Sequence, residues 1–265
     1  GNCGVTFAPC RPKDRQFLAN MMEAIEDIPE QAILNGLSWE WESYGEYLNE
    51  IEKLNPAINL AGLVGHCATR TYVMGERAVD EDPNEEEIQQ IAELVGQSIK
   101  GGAVGFSSNR RPGQALPDGR AIPGTFAKKD ELEAISMAVG DNNGLLQYVL
   151  NYSDLESEVS LIGEQGLLAE APVVFSADFV SGDAGHHSAY DSTISNMRKK
   201  GLDITGLTLP RSFGSLSSLE NDVLPDRKSP TWQRLAAMNL PERLKALGDY
   251  GFRENLIKEI KANKN

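Results

Sequence analysis

Polar and basic residues that follow short apolar runs of the sequence are the first candidates for chemistry. In chain order they are His66, Cys67, Arg70, Ser107, Ser108, Arg110, Arg111, Asn151, Ser153, Asp178, His186, His187 and Arg211. The arginines among them suit a carboxylate ligand, because a guanidinium group matches a carboxylate with two parallel hydrogen bonds. The alternative is that each arginine lies on the surface and pairs with one of the many acidic residues. The sequence leaves both interpretations open.

The three histidines of the chain are His66, His186 and His187. Side chains of adjacent residues diverge, so His186 and His187 are not expected to share a metal ion. Their surroundings of Gly, Asp and Ser indicate a solvent-exposed loop. His66 is open to two interpretations, a hydrogen-bonded structural residue or a catalytic one. The motifs HExxH, CxxC, Walker A and GxSxG are absent from the sequence.

Apolar residues at helical spacing predict the elements that must position these side chains. One stripe runs from Phe17 to Ile25 and another from Ile88 to Ile99. Asn84 and Glu87 precede the second stripe with the spacing of a capping box, and glycines at 101 and 102 end it. Further helices are predicted over residues 42–54, 129–139, 154–163, 192–200, 231–247 and 253–262.

Short apolar runs between these helices predict five strands. The runs cover residues 57–64, 103–106, 145–150, 172–176 and 204–209, and a sixth strand is expected to end at residues 1–4. Most runs are apolar on both faces, which is typical of a parallel sheet covered by helices. Alternating strands and helices indicate an α/β fold built of βαβ units. Residues 107–125 follow a strand directly and are a candidate active-site loop, and residues 213–229 are either a second such loop or a surface excursion.

Composition limits the classes of partner. The formal net charge is −14, from 25 basic and 39 acidic residues. Nucleic acids and anionic membranes both require a basic surface, so neither is expected as a partner, and no apolar run approaches the roughly 18 residues of a membrane span. Three cysteines are too few and odd in number for a disulfide framework, which favours a reducing cytoplasm. Because the chain begins with Gly1 rather than Met, it is expected to be a piece of a longer protein.

The segment Gly1-Asn2-Cys3-Gly4-Val5, followed by Phe7-Ala8-Pro9, resembles the GNCG segment of D-aminoacylases and related N-acyl-D-amino-acid deacylases, which are amidohydrolases. Further motifs that carry this resemblance are Glu26-Asp27-Ile28-Pro29, Trp39-Glu40-Trp41-Glu42-Ser43, Val64-Gly65-His66, Tyr72-Val73-Met74-Gly75-Glu76-Arg77, Gly102-Ala103-Val104-Gly105-Phe106-Ser107 and Pro123-Gly124-Thr125-Phe126-Ala127. Weaker similarity continues through residues 240–260, so the resemblance covers nearly the whole chain and is most specific in its first half.

The resemblance implies a TIM-like (β/α)8 barrel that holds one or two zinc ions at the carboxyl ends of its strands. The zinc activates a water molecule, which attacks the amide carbonyl of an N-acyl-D-amino acid and releases a carboxylate and the free amino acid. In D-aminoacylases the cysteine of the GNCG segment binds zinc, so Cys3 is the metal ligand implied here. The substrate-binding candidates, taken from the residues after the strands, are His66, Arg70, Ser107, Arg110 and Arg211.

The chain departs from the family pattern in three ways. The HxH pair of the first barrel strand lies before Gly1, and the catalytic aspartate of the last strand lies beyond Asn265. Val149 and Ala177 stand where D-aminoacylases have histidines on two middle strands. Residues 1–265 are therefore expected to be the central part of one barrel domain that lacks its first and last strands, with open sheet edges and exposed apolar surface. The fragment alone is expected to be inactive.

Three functions remain open at this point. The first is a metal-dependent hydrolase that is active only in the full-length protein. The second is a non-catalytic barrel that binds acylated amino acids or other small carboxylates, which Val149 and Ala177 favour. The third is a metal-free hydrolase with Cys3 as the nucleophile, and His66 is then the one sensible base.

Overall fold

A computed structural model describes residues 3–26, 28–177, 185–208, 218–219 and 229–263, with residues 185–190 and 263 described by their backbone alone. Asp178, Arg211 and most of the predicted loop 213–229 lie outside the described residues, as do the side chains of His186 and His187. The chain divides into two compact units, Gly1–Thr208 and Leu209–Asn265. The expectation of one domain over residues 1–265 stays a prediction.

A parallel sheet of five strands forms the centre of the first unit. Its strands are β1 (Leu63–Gly65), β2 (Gly105–Asn109), β3 (Leu145–Val149), β4 (Val173–Ser176) and β5 (Ile204–Leu207). They pair in the order β1-β2-β3-β4-β5, and each adjacent pair is parallel. The prediction of an α/β fold with a parallel sheet is therefore confirmed.

Eight helices of the first unit precede β1 or connect the strands in the part of the chain that the structure describes. They are α1 (Arg15–Glu26), α2 (Glu30–Gly36), α3 (Tyr44–Lys53), α4 (His66–Met74), α5 (Glu85–Lys100), α6 (Lys129–Asp141), α7 (Leu155–Ala169) and α8 (Gly185–Lys199). Two short 3₁₀ turns, Pro12–Asp14 and Gly75–Ala78, flank α1 and α4. Each connection from one strand to the next contains at least one helix, as parallel pairing requires.

Local sequence signals set the bounds of α5. The Asn84 side chain accepts a hydrogen bond from the Glu87 backbone N–H, and the Glu87 carboxylate accepts one from the Asn84 backbone N–H, which is the predicted capping box. Three acidic residues in its first turn and Lys100 in its last turn complement the helix dipole. The helix ends at Gly101, as predicted.

Two predicted strands are wrong in part. The run 57–64 is a strand only from Leu63, and Ile58 and Leu60 in its first half are 70% and 55% exposed. The described end of the predicted sixth strand, Cys3 and Gly4, forms a turn. Residues 57–61 are all exposed, so the apolar side chains among them do not belong to the core.

The described residues of the second unit form three helices, α9 (Pro230–Ala236), α10 (Leu240–Gly248) and α11 (Tyr250–Asn263). The sequence predicted a single helix over residues 231–247. It is divided because Asn239 begins a new helix with a capping box to Glu242, and Pro241 occupies the first turn of α10. The buried Arg243 guanidinium donates hydrogen bonds to the carbonyls of Leu235, Ala236 and Met238 at the end of α9. A cation at these unsatisfied carbonyls complements the dipole of α9.

Across the described parts of both units, the helices are too short or too polar to span a membrane.

Candidate functional site

The two faces of the five-stranded sheet carry different side chains. Apolar residues dominate the face that packs on the helices, and they are Val64, Phe106, Leu146, Tyr148, Val173, Phe175 and Ile204. Successive side chains of a strand point to opposite faces. The other face therefore carries five hydroxyl and amide side chains, which are Ser107, Asn109, Gln147, Ser176 and Thr205. We call these five residues and their surroundings the polar strand face.

Strand register places Ser107 of β2 beside Gln147 of β3, whereas valines separate the other polar residues of this face. Ser107 pairs with Gln147, and Gln147 pairs in turn with Val174. One layer towards the carboxyl ends, Asn109 pairs with Val149 and Val149 with Ser176. Carboxyl ends of parallel strands are where α/β proteins bind ligands, so this face is the candidate site.

Ser107 and Ser108 were predicted to follow the second strand, but both lie inside β2. Their neighbours explain the error, because Asn109 extends the strand through its pairing with Val149 on β3. The two serines consequently point to opposite faces of the sheet. Ser107 belongs to the polar strand face, and Ser108 points towards the helices.

His66 is the first residue of α4 rather than part of a loop after β1. Its ring is completely buried and contacts two polar groups: Nδ1 lies 2.9 Å from Oγ of Ser108, and Nε2 lies 2.9 Å from Oε1 of Glu131. An ionised carboxylate only accepts hydrogen bonds, so Nε2 donates to Glu131. In the neutral ring Nδ1 then accepts from the Ser108 hydroxyl.

Arg70 lies one turn after His66 on α4 and contacts the same carboxylate. Its Nη1 is 2.9 Å from Oε2 of Glu131, and its Nη2 donates to the carbonyl of Glu81 at 2.7 Å. The Arg70 side chain is 6% exposed and that of Glu131 is 1% exposed. His66, Arg70 and Glu131 thus form a buried cluster in which the carboxylate receives hydrogen bonds from both basic side chains.

Arg110 makes a second, partly buried ion pair. Its Nε and Nη2 donate to both carboxylate oxygens of Glu158 on α7, at distances of 2.8 to 3.0 Å. The same carboxylate accepts from the backbone N–H of Asn151, at 3.3 Å. This bidentate pair joins the end of β2 to the loop after β3, and Nη1 of Arg110 has no hydrogen-bond partner among the described residues.

Arg70 pairs with Glu131 and Arg110 with Glu158, so each has an acidic partner, but neither lies on the surface as the second sequence interpretation supposed. Nε of Arg70 and Nη1 of Arg110 have no hydrogen-bond partner among the described residues. Arg211 lies outside the described residues. Roles of these arginines in substrate binding stay predictions.

Glu131 was missed at the sequence level, although a signal for it exists. It lies on the buried stripe of α6 together with Leu132, Ile135 and Val139. A carboxylate on an otherwise apolar helix face requires a buried partner, because an unpaired charge inside a protein is costly. That position therefore predicts a basic partner, which the structure identifies as Arg70 with His66.

Cys3 begins the described chain and lies next to the carboxyl ends of β1 and β2. The carbonyl of the neighbouring Gly4 accepts a hydrogen bond from the backbone N–H of Cys67 at 3.0 Å. Gly4 has φ +75°, and a Cβ there would lie 2.9 Å from the backbone nitrogen of Asn109. Only glycine fits this close backbone approach, so the second glycine of the GNCG segment holds Cys3 against the strand ends.

The donor atoms near Cys3 fit part of a zinc shell. Its Sγ is 3.3 Å from Oε1 of Glu26, and thiolate sulfur and carboxylate oxygen are both zinc ligands. Burial raises the pKa of the Cys3 thiol, and the nearby Glu26 carboxylate raises it further. Within the described ranges no group of three or more His, Cys, Asp and Glu side chains is arranged to hold a metal ion. Val149 and Ala177 end β3 and follow β4 without a ligand atom.

The third sequence hypothesis required His66 to act as the base for a Cys3 nucleophile. The ring nitrogens of His66 contact Ser108 and Glu131, and the Cys3 thiol contacts Glu26. Neither group is hydrogen-bonded to the other among the described residues. A high thiol pKa also opposes nucleophilic reactivity, which requires the thiolate.

Curated relatives that match the chain include two deacylases. N-acyl-D-glutamate deacylase of Alcaligenes xylosoxydans xylosoxydans is 24% identical over 208 residues, 77% of this chain and 38% of the relative. D-aminoacylase of the same organism is 28% identical over 108 residues, 41% of this chain and 20% of the relative. An uncharacterized protein of Mycobacterium tuberculosis is 28% identical over 172 residues, 61% of this chain and 27% of the relative. The chain thus spans well under half the length of each of these relatives, and no family model matches it.

Solved structures give the same relationship at the level of the fold. N-acyl-D-glutamate deacylase from Bordetella bronchiseptica, solved with zinc and a phosphonate inhibitor, has a TM-score of 0.59 and 23% identity, covering 78% of this chain and 40% of that protein. A D-aminoacylase structure has a TM-score of 0.57 and 19% identity, covering 80% of this chain and 40% of that protein. The fold of the chain is therefore similar to part of the fold of these two enzymes. The predicted resemblance to the D-aminoacylase and N-acyl-D-amino-acid deacylase family is confirmed.

Proposed function

We propose that this chain is the central part of a hydrolase that cleaves the amide C–N bond of N-acyl-D-amino acids. The observation that carries the proposal is the joint likeness, in sequence and in fold, to a D-aminoacylase and an N-acyl-D-glutamate deacylase. Water adds across the amide bond in such a reaction, giving a carboxylate and a free amino acid. The net charge of −14 supports a small-molecule substrate over nucleic acid.

We infer further that the sheet is part of a TIM-like (β/α)8 barrel, lacking in this chain the first and last strands, and that residues 1–265 belong to the centre of that domain. Two features support this. The strands pair in chain order, as they do around a barrel. The face towards the helices is apolar, and the opposite face carries Ser107, Asn109, Gln147, Ser176 and Thr205 between apolar residues. A sheet covered by helices on both sides is apolar on both.

Zinc, as one or two ions, is the proposed cofactor, and Cys3 is the proposed ligand from this chain. Its position at the strand ends and the adjacent Glu26 carboxylate support this assignment. The remaining ligands must come from outside the described residues. When bound, zinc supplies a water of lowered pKa and polarises the amide carbonyl.

Other residues of this chain serve two further roles, contact with the substrate and support of the site. Ser107 and Arg211 remain candidates for contact with substrate. His66, Arg70 and Arg110 also remain candidates, and their contacts with Glu131 and Glu158 fix α4, α6 and α7 against β2. Helices and a strand that are fixed in this way hold reacting groups in a defined geometry.

The test uses the complete protein that contains this chain. N-acetyl-D-glutamate and N-acetyl-D-alanine are incubated with it in the presence of zinc, and release of the free amino acid is measured by chromatography. The L-enantiomers serve as controls. Release from the D-substrates supports the proposal, and its loss on chelation of the metal supports the cofactor. No release from any N-acyl amino acid at high enzyme concentration would overturn it.

A non-catalytic barrel that binds acylated amino acids or other small carboxylates is the second candidate. Val149 and Ala177 favour it, because the resemblance places metal-binding histidines at these two positions. The same experiment separates the two functions when binding is measured calorimetrically alongside turnover. Binding of the N-acetyl amino acids without release of product would favour the second candidate.

A further inference from the structure

The most unusual side chain of the polar strand face is Gln147, in the middle of β3. The residue is 2% exposed, yet neither its Nε2 nor its Oε1 has a hydrogen-bond partner anywhere in the described structure. A buried amide without partners costs free energy, and such groups are rare in native proteins. Gln147 therefore requires an explanation.

The position of Gln147 excludes a role in packing against the helices. Its neighbours in sequence, Leu146 and Tyr148, occupy the helix-packed face and are fully buried there. Gln147 points to the opposite face, between Ser107 on β2 and Val174 on β4. Val149 is the last residue of β3, and Gln147 lies two residues before it on the same face of the strand. The carboxyl ends of parallel strands are where such sheets bind ligands.

We propose that the Gln147 side chain binds the amide group of the substrate, a residue role that rests on the proposed function. A primary carboxamide donates through its nitrogen and accepts through its oxygen. The secondary amide of an N-acyl amino acid presents the complementary pair, a carbonyl oxygen that accepts and an N–H that donates. Because such an amide is trans, its carbonyl and its N–H point in opposite directions, so one Gln147 side chain pairs with one of them. We assign Gln147 to the N–H, which donates to Oε1.

Gln165 provides a matched comparison within the same unit. It is also 2% exposed, but it lies on α7 and its Oε1 accepts a hydrogen bond from Oγ of Ser136 at 2.6 Å. Gln165 is therefore a buried glutamine whose contact lies within the fold. The two residues have the same chemistry and the same burial, and they differ in whether the protein itself supplies a partner.

The test compares Gln147→Met with Gln165→Met in the complete protein, by two measurements. Methionine keeps the length of glutamine and removes its hydrogen bonds. Thermal unfolding without ligand should show Gln147→Met at least as stable as the parent, because an unpaired buried amide has been removed. Gln165→Met should be less stable, because Ser136 loses its partner. A clear loss of stability in Gln147→Met would overturn the proposal, since it would mean that the protein itself pairs the amide.

Calorimetric titration gives the second measurement, with N-acetyl-D-alanine and its ester analogue O-acetyl-D-lactate as probes. The ester lacks the N–H, so it cannot donate to Oε1 of Gln147. We expect Gln147→Met to bind N-acetyl-D-alanine about tenfold more weakly than the parent does. We also expect it to lose most of the parent's preference for the amide over the ester, while Gln165→Met keeps that preference.

Each outcome has a distinct meaning. An unchanged affinity and amide preference in Gln147→Met, with binding intact in the parent, would overturn the role of Gln147 and leave the proposed function standing. Absence of binding by the parent to any N-acyl amino acid would overturn both. Weakened binding of the amide by Gln147→Met, together with unchanged or raised stability, supports a role of Gln147 in ligand binding and not in the stability of the fold.

Discussion

Nε2 of His66 lies 2.9 Å from Oε1 of Glu131, across 65 residues of sequence, and neither side chain is more than 1% exposed. This contact joins the first turn of α4 to the first turn of α6. Arg70 approaches the same carboxylate from α4. One buried acid thus fixes both helices against β2.

Replacing Glu131 with Gln should strongly destabilise the protein. The Arg70 guanidinium would keep its charge in a buried position without a counter-charge, which typically costs about 3–5 kcal/mol. Urea unfolding followed by circular dichroism measures the change. Glu133→Gln is the control, because Glu133 lies on the same helix in an exposed pair with Lys129, and its loss should change stability by less than about 1 kcal/mol. Equal effects of the two substitutions would contradict the assigned role of Glu131.

Gly124→Ala should be more harmful than the same change at Gly119. Both glycines have φ +88°, so alanine meets the same backbone strain at each position. A Cβ at Gly124 would lie 2.5 Å from Nδ1 of the His66 ring, whereas a Cβ at Gly119 meets nothing within 4 Å. We expect roughly 1–3 kcal/mol more destabilisation at Gly124. Thermal unfolding of the two variants, side by side, tests the packing of this loop on His66, and indistinguishable melting temperatures would refute it.

Zinc content should depend on Cys3. We expect the complete protein to lose zinc in Cys3→Ala and to retain it in Cys10→Ala. Cys10 is a suitable control because it is also buried, its thiol donates to the Arg11 carbonyl, and burial raises its pKa to about 12. Elemental analysis of the purified proteins gives the answer. Zinc that persists at the parent level in Cys3→Ala would remove Cys3 from the metal site.

Zinc affinity should also fall as the pH falls. Metal binding to a thiol releases its proton, and burial raises the pKa of Cys3, so protons compete with zinc across the neutral range. Competition titrations with a chelating dye between pH 6 and pH 8 measure this slope. A flat profile in the parent would argue against a thiolate ligand.

In the second unit, Glu259 should make stability depend on pH in the acid range. Its carboxylate accepts hydrogen bonds from the Ser229 hydroxyl and from the backbone N–H and hydroxyl of Thr231, and these contacts lower the pKa of Glu259. A lowered pKa in the folded state means that the carboxylate stabilises the fold above its unfolded pKa. This contribution is lost as the pH falls through the folded value.

Thermal unfolding between pH 7 and pH 3 tests the role of Glu259. Glu259→Gln should weaken the dependence on pH below about 4.5, the ordinary value for a glutamate. Glu254→Gln is the control, since Glu254 is exposed on the same helix. Parallel curves for the parent and Glu259→Gln would exclude a contribution from this carboxylate.

Local patterns in the sequence predicted much of the framework. The parallel pairing of five strands, the capping box of α5 and its stop at Gly101 agree with the predictions, because hydrophobic spacing and cap residues act over a few neighbouring positions. The bounds of β1 and β2 were predicted wrongly. The helix α4 was missed. Seven of its nine residues are buried, so it carries no polar stripe, and a helix that is covered on nearly all sides lacks the periodicity that reveals a helix.

The candidate site was predicted only in outline. The sequence alone determined the family resemblance, the strand ends as the place for chemistry, and Cys3, His66 and Ser107 as residues near them. Tertiary structure decided the partner of each side chain. Glu131 pairs with Arg70 and His66, and Glu158 pairs with Arg110. Gln147 has no hydrogen-bond partner among the described residues. The reason is physical. A hydrogen bond or ion pair forms between groups that the packing of helices on strands brings together across 48 to 65 residues, and no local pattern encodes which partner that will be.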